Sequence, residues 1–350
     1  MKSQRFTQTL VALMAAMALA SFGCKKDEGG EKGGDESGEK SGEKGEAEGK
    51  AGSAKASKSG GAASKTSFAV FSKDYDFVVG LNAGSLRSSG LWKKFGPMIE
   101  GQLNSENDYK TFKDTCGFDP VAKIESVIIA GNSAKQGAKP DVSMVIKGFN
   151  RGEAKACAEK MAKKEGEELK IEEDGKLMKV SGKGDTMWLA WLDDGTVFTG
   201  AGAEGDGGKA WLESRIKGQD GMDKNADMNS LLGQVDSNGT VWFAAQPADT
   251  SAMAMMGAPP KAMFGTVLLT SGLKADIGLR YEKAEDATKM VEQSKQMMGA
   301  MGSDPTAKMI ADKTKLSVNG NDAIIKMDLS AEELGKVIGM AQQMMGAFMR

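Results

Sequence analysis

The chain contains no histidine. Ser-His and Cys-His nucleophilic machinery, His-ligated zinc and imidazole pH switches are therefore excluded. Cysteine is scarce: Cys24, Cys116 and Cys157, with no C-x-x-C spacing, so a thioredoxin-type redox pair is excluded too. Long apolar runs are missing. The most apolar stretch, Leu10 to Ala20, is about eleven residues, roughly 16 Å of helix against a hydrocarbon core of about 30 Å. Calcium-loop arrays of Asp and Asn are absent. Ser-Lys or paired-carboxylate catalysis finds no local motif, and Asp193-Asp194 reads as a pair of turn residues. No enzyme, no metal and no cofactor are expected. Charge of one sign is also lacking: 46 Lys and Arg face 48 Asp and Glu, a formal net charge of −2. Without the basic field that phosphates require, nucleic acid is not an expected partner.

The N-terminus carries the most information. Lys2 and Arg5 form a positive start, the apolar run follows, and Ser21-Phe22-Gly23 leads into Cys24. A run this short fits the h-region of a cleaved export signal. The stretch resembles the lipobox of bacterial lipoproteins: Gly23-Cys24 match the pattern, Phe22 is bulky, and Ser21 stands in place of the usual Leu. The resemblance implies that residues 1–23 are a signal peptide and that Cys24 becomes the mature N-terminus, carrying a diacylglycerol thioether and an amide-linked third chain. Two or more acyl chains make anchoring stable where one is marginal. By the sorting rule of enteric bacteria, Lys25 in place of Asp implies the outer membrane. The membrane is thus a partner through the lipid. The mature domain broadly resembles exported lipoproteins of Gram-negative bacteria, which implies an address and no activity.

Residues 24–66 hold the lipidated Cys and a linker of Gly, Glu, Lys, Ser and Ala, with no Val, Ile, Leu, Met or aromatic residue between Lys25 and Lys65. Such a segment cannot bury enough apolar surface to offset its ordering entropy, so a disordered tether is expected.

The remainder reads as strands and helices in alternation. Branched apolar runs at 77–81, 126–130, 142–146 and 275–281 are strand signals. Asp174-Gly175 and Asp194-Gly195 lie between apolar runs and mark hairpins. Helical period appears at 86–103, where Gly90, Gly96 and Pro97 should break it, and at 153–163, 209–216, 284–301 and 331–348. Ser330-Ala331-Glu332-Glu333 opens the last as a capping box. The run 142–146 followed by a helix is echoed by 275–281 followed by a helix, and 188–199 by 323–327. Two α+β halves, 67–222 and 223–350, are expected, mainly antiparallel sheet with helices packed on one face.

Cys116 and Cys157 form an even pair in an oxidising compartment, which favours a disulfide over two buried thiols. Gly200 to Gly205 spells G-x-G-x-x-G, but after a hairpin strand it reads as a flexible turn, not a phosphate cradle. Trp188 and Trp191 are three apart in a strand and must face opposite sides, so they form no joint stacking platform.

Methionine is the compositional oddity, with 24 residues. Met297, Met298 and Met301 end one helix; Met340, Met344, Met345 and Phe348 line the last. Adaptable core packing explains them, and so does a malleable groove for an acyl chain or partner helix; Cu(I) ligation is a third reading. The sequence therefore supports a lipid-anchored envelope protein with a non-catalytic binding or scaffolding domain, partnered by an envelope protein or a hydrophobic ligand. The alternative is a carrier of an acyl chain in a Met-lined cavity.

Overall fold

The structure is a computed structural model that describes residues 68–132, 141–166, 168–182, 185–205, 207–247, 258–300 and 304–348. Cys24, the tether and Met301 lie outside them. Strand β1 (Phe77–Asn82) leads through helices α1 (Ala83–Ser88), α2 (Gly90–Ser105), α3 (Asn107–Cys116) and α4 (Pro120–Lys123) to β2 (Ser126–Gly131) and β3 (Val142–Lys147). Helix α5 (Arg151–Glu165) is followed by β4 (Lys170–Asp174), β5 (Leu177–Gly182), β6 (Asp185–Asp193), β7 (Thr196–Gly200), α6 (Gly208–Ile216) and α7 (Ala226–Leu232). Then come β8 (Val241–Ala245), β9 (Ala262–Leu269), β10 (Leu273–Arg280), α8 (Ala284–Ala300), α9 (Pro305–Lys313), β11 (Thr314–Asn319), β12 (Asp322–Leu329) and α10 (Ala331–Phe348).

Among the described residues all strands join one 12-stranded sheet in the order β11-β12-β10-β9-β8-β1-β2-β3-β7-β6-β5-β4, and every pairing is antiparallel. The class is α+β. Connectivity repeats about the central β1–β8 pair. A meander (β1-β2-β3, or β8-β9-β10) leads into a helical crossover (α5, or α8 with α9). A hairpin follows (β6-β7, or β11-β12), and its second strand returns beside the third strand of the meander. The first half adds β4 and β5 at its outer edge.

Strand alternation divides the helices between the two faces, where element order alone suggested one. On the first face, Val78, Ile128, Val145, Phe198, Trp242 and Phe264 pack with Leu212 of α6 and with Met228 and Leu231 of α7. On the second, Val127, Met144, Ile146 and Val197 pack with Phe149 and with Ala154 of α5. Further along that same face, Leu279, Ala323, Ile325 and Leu316 pack with Ala287, Met290 and Val291 of α8. Trp188 joins the first-face core and Trp191 the opposite one, as alternation requires.

Gly96 and Pro97 do not break the helix they sit in: α2 runs through both, and the interruption falls at Ser89, which caps α2 by accepting a hydrogen bond from Trp92 N–H at 3.0 Å. Proline lacks only the N–H that would bond one turn back, and Pro97 is exposed, so water can take up the freed carbonyl.

The capping box on α10 forms. Ser330 N–H donates to Glu333 Oε2 at 2.8 Å, Glu333 N–H donates to Ser330 Oγ at 3.3 Å, and Lys313 Nζ lies 3.0 Å from Glu333 Oε1. The Ser330 backbone bond first, then Lys313, hold the Glu333 carboxyl down to about 2, from an ordinary value of 4.5. A depressed carboxyl stabilises the fold above its unfolded pKa and loses that contribution as pH falls through the folded one. We expect the melting midpoint to decline between pH 4.5 and pH 2, and Glu333→Gln to flatten part of that decline. Calorimetric scans of both chains across this window measure it.

Candidate ligand-binding face

The crossover helices α5 and α8 each cover the second face over their own outer strands. Between them, the face is paved with apolar side chains that belong to neither core. Register builds it row by row. Phe77, Ala245 and Met263 stand side by side across β1, β8 and β9. Val79, Phe243 and Gly265 form the next row, which continues to Ile277 on β10. Leu81, Val241 and Val267 form the third, continuing to Ala275. None of these side chains carries a charge or a polar atom beyond the Met263 thioether, and each except Gly265 remains partly exposed.

The floor spans three inter-strand spacings, roughly 14 Å, and three rows along the strands, roughly 13 Å. The Phe243 ring lies over Gly265, where an added Cβ would come within 3.1 Å of it, so the glycine keeps the floor flat. The opposite sides of β1 and β8 are packed, with Val78 and Ala244 at 0 % exposure.

Two helices with half-exposed apolar stripes start at one end of the floor. Helix α2 begins at the β9–β10 turn, where Gly90 N–H donates to Thr270 O at 2.5 Å. Its Leu91, Trp92, Phe95, Ile99 and Leu103 are only partly buried, and Met98 is 59% exposed. Helix α10 begins beside it: an added Cβ at Gly335 would stand 3.3 Å from Lys94 Nζ. Of its inward residues Leu334 is buried, while Val337 and Ile338 are not fully covered.

The methionines singled out from sequence are spread differently. Met297 is 55% exposed and Met298 partly buried in the last turns of α8, beyond that helix's buried Ala287, Met290 and Val291. Met340 is partly buried on α10; Met344, Met345 and Phe348 continue its backbone, but their side chains lie outside the described residues. Helix α9 packs against both α8 and α10. The apolar floor itself was missed at the level of sequence, although Val79, Phe243 and Ile277 each stood in a visibly apolar run.

Phe264 and Ile324 still belong to the first-face core; beyond them, among the described residues, the first face of β9, β10, β12 and β11 is polar. A groove of about 460 Å³ is lined by residues including Lys274, Asp276, Lys326 and Asp328. Lys274 pairs with Asp328 at 3.4 Å and Lys326 with Asp276 at 2.8 Å, all well exposed. Cross-strand pairs of this kind contribute about 0.2–1 kcal/mol each and describe a solvated sheet face.

Other motifs resolve into packing. An added Cβ at Gly202 would lie 2.3 Å from the Trp211 indole, and one at Gly208 2.3 Å from Ala203 O, so these glycines seat α6 against the sheet. Trp211 in turn stacks on Phe198 at 5.7 Å. Asp193 Oδ1 accepts a hydrogen bond from Gly195 N–H at 2.9 Å, a turn role. Among the described residues no group of acidic or Cys side chains is arranged to hold a metal ion, and no helix is long and apolar enough to cross a membrane.

Helix α3 is fixed to α5 by a disulfide between Cys116 and Cys157, with Cα atoms 4.7 Å apart. Beside it, Tyr109 Oη donates to Asp119 Oδ1 at 2.6 Å and Lys113 Nζ lies 2.8 Å from Asp119 Oδ2. Asp119 also caps α4 by accepting from Val121 N–H at 2.9 Å. Burial alone would raise the Asp119 carboxyl; the hydrogen bonds from Lys113 and Tyr109 outweigh it and hold it below the usual range. Tyr109 is pushed up by burial and by that carboxylate. The shoulder on this side of the floor is thus cross-braced.

No protein-family model matches the chain, and no curated protein matches it. Among solved structures, crystal form I of TP0453 is similar at 12% identity with a TM-score of 0.44, over 77% of this chain and 95% of that one. A likeness of that size carries no argument about this chain's fold or activity.

Proposed function

We propose that this chain is a lipid-anchored envelope protein whose non-catalytic domain holds a hydrophobic ligand, the acyl chain of a lipid, on the floor between α5 and α8. The lipobox-like stretch ending in Cys24 supports the anchor, and Lys25 supports the outer membrane as its address. The observation that carries the ligand is the floor itself: contiguous rows of apolar side chains on β1, β8, β9 and β10 that neither flanking core takes up. A contiguous, partly exposed apolar surface without charge is the kind that takes up a hydrophobic ligand. Ten buried methylenes of an acyl chain would contribute about 8 kcal/mol before association costs are subtracted.

Mass spectrometry of the full chain purified from its own envelope tests both parts. Under denaturing conditions the Cys24 peptide should carry covalent acyl mass. Under native conditions an additional, non-covalent lipid mass should appear. Phe243→Asp should lose the second mass and keep the first, while Lys274→Ala on the opposite face should keep both. A native protein without bound lipid, or a Phe243→Asp chain that retains it, overturns the ligand.

A further inference from the structure

The two ends of the sheet are protected unequally. At one end, β4 reads Lys170-Ile171-Glu172-Glu173-Asp174, almost wholly exposed and strongly acidic. Charged side chains at four of its five positions guard this edge strand against pairing with another strand. The other end is β11, Thr314-Lys315-Leu316-Ser317-Val318-Asn319. It carries one charge, no proline and no bulge against β12, and Val318 is 38% exposed. No described strand lies beyond it.

The direction of its free backbone groups follows from the hairpin. Asn319 pairs with Asp322 around the two-residue turn Gly320-Asn321, so Asn319, Ser317 and Lys315 direct their backbone groups at β12. Leu316 and Val318 therefore direct theirs outward, while the Thr314 N–H is taken up by Ala311 O at the end of α9. We propose that β11 pairs antiparallel with β11 of a second copy of this chain, about a two-fold axis through Ser317, joining two sheets into one. In that register Leu316 lies opposite the partner's Val318 and Lys315 opposite the partner's Asn319. Apolar meets apolar on the covered face, and lysine meets a neutral amide on the bare one. Like charges never face each other, which is the complementarity that β4 lacks. The pairing does not depend on a bound lipid or on acylation of Cys24.

Cysteine placement reads the register directly. Ser317 sits on the axis as a non-hydrogen-bonded pair, where opposing Cα atoms stand about 4.5 Å apart, within disulfide reach. In the full chain, mild oxidation of Ser317→Cys should yield a covalent dimer that the parent chain does not form. Lys315→Cys, whose mate lies several residues away across the axis, should yield none. Adding Val318→Lys to Ser317→Cys should cut the dimer yield about tenfold while far-ultraviolet circular dichroism stays that of the parent. Three outcomes overturn the pairing: no Ser317→Cys dimer, equal cross-linking from Lys315→Cys, or indifference to Val318→Lys. Linking through Leu316→Cys in place of Ser317→Cys overturns the register.

Discussion

Trp242→Ala should destabilise the fold by about 3–5 kcal/mol, the range for emptying a buried aromatic site. Trp242 is 2% exposed on β8 and lies in the core that α7 covers. Phe68 meets its ring edge-on at 5.9 Å. Its indole rests on Gly80 of β1, where an added Cβ would come within 2.0 Å. The site cannot collapse easily, because β1 and β8 are held side by side by the sheet. A loss of this size is a large share of a typical domain's 5–15 kcal/mol, so urea unfolding should shift visibly. Gly80→Val alone should be as damaging, since it drives a branched side chain into the ring. Combined with Trp242→Ala, the valine fills part of the vacated space, and the double variant should be more stable than the sum of the two losses predicts. Additive losses in that cycle would show that the two residues are not coupled.

The second large effect is at the disulfide. Cys116 and Cys157 are 41 residues apart in sequence. Closing a loop of that length stabilises by about 4 kcal/mol on the chain-entropy estimate. Replacing both cysteines with alanine should cost an amount of that order, measured by denaturant unfolding of the full chain. The loss should be felt first in α2 and α3, whose chief neighbours are each other, α1 and α5. Amide hydrogen exchange should therefore rise across Gly90 to Cys116 before it rises in β1 or β2. Protection unchanged in α3 with the bridge removed would mean that the Phe112, Met161 and Phe118 contacts suffice there.

Much of the scaffold was legible from residue pattern. Asp174-Gly175 closes the β4–β5 hairpin, and the Asp194-Gly195 turn joins β6 to β7. The Ser330 box opens α10 where the spacing placed it. Strands β8, β9 and β11 were not read, for separable reasons. β8 is short, five residues from Val241 to Ala245. β9 contains Gly265, which lowers strand propensity while giving the Phe243 ring its seat. β11 alternates a lysine and a serine with single apolar residues, a weak edge signal.

The floor was harder still. Its side chains come from segments far apart in sequence, and two of their strands, β1 and β8, are apolar on both sides. A strand buried on two faces and one buried on a single face look alike when both faces carry Val, Phe and Ile. Methionine count pointed instead to the ends of α8 and α10, because composition registers side-chain type and not which surface a neighbour leaves uncovered.

The central β1–β8 pairing also bears on how this molecule can be divided. Met228 and Leu231, which follow residue 222, sit in one core with Phe71 and Val78, which precede it. Severed there, each portion would lose half of that interior, and β1 or β8 would lose the neighbour that satisfies its main chain. Neither portion is equipped to stand alone, so a chain cut after residue 222 should be insoluble as fragments and regain solubility only when both are produced together.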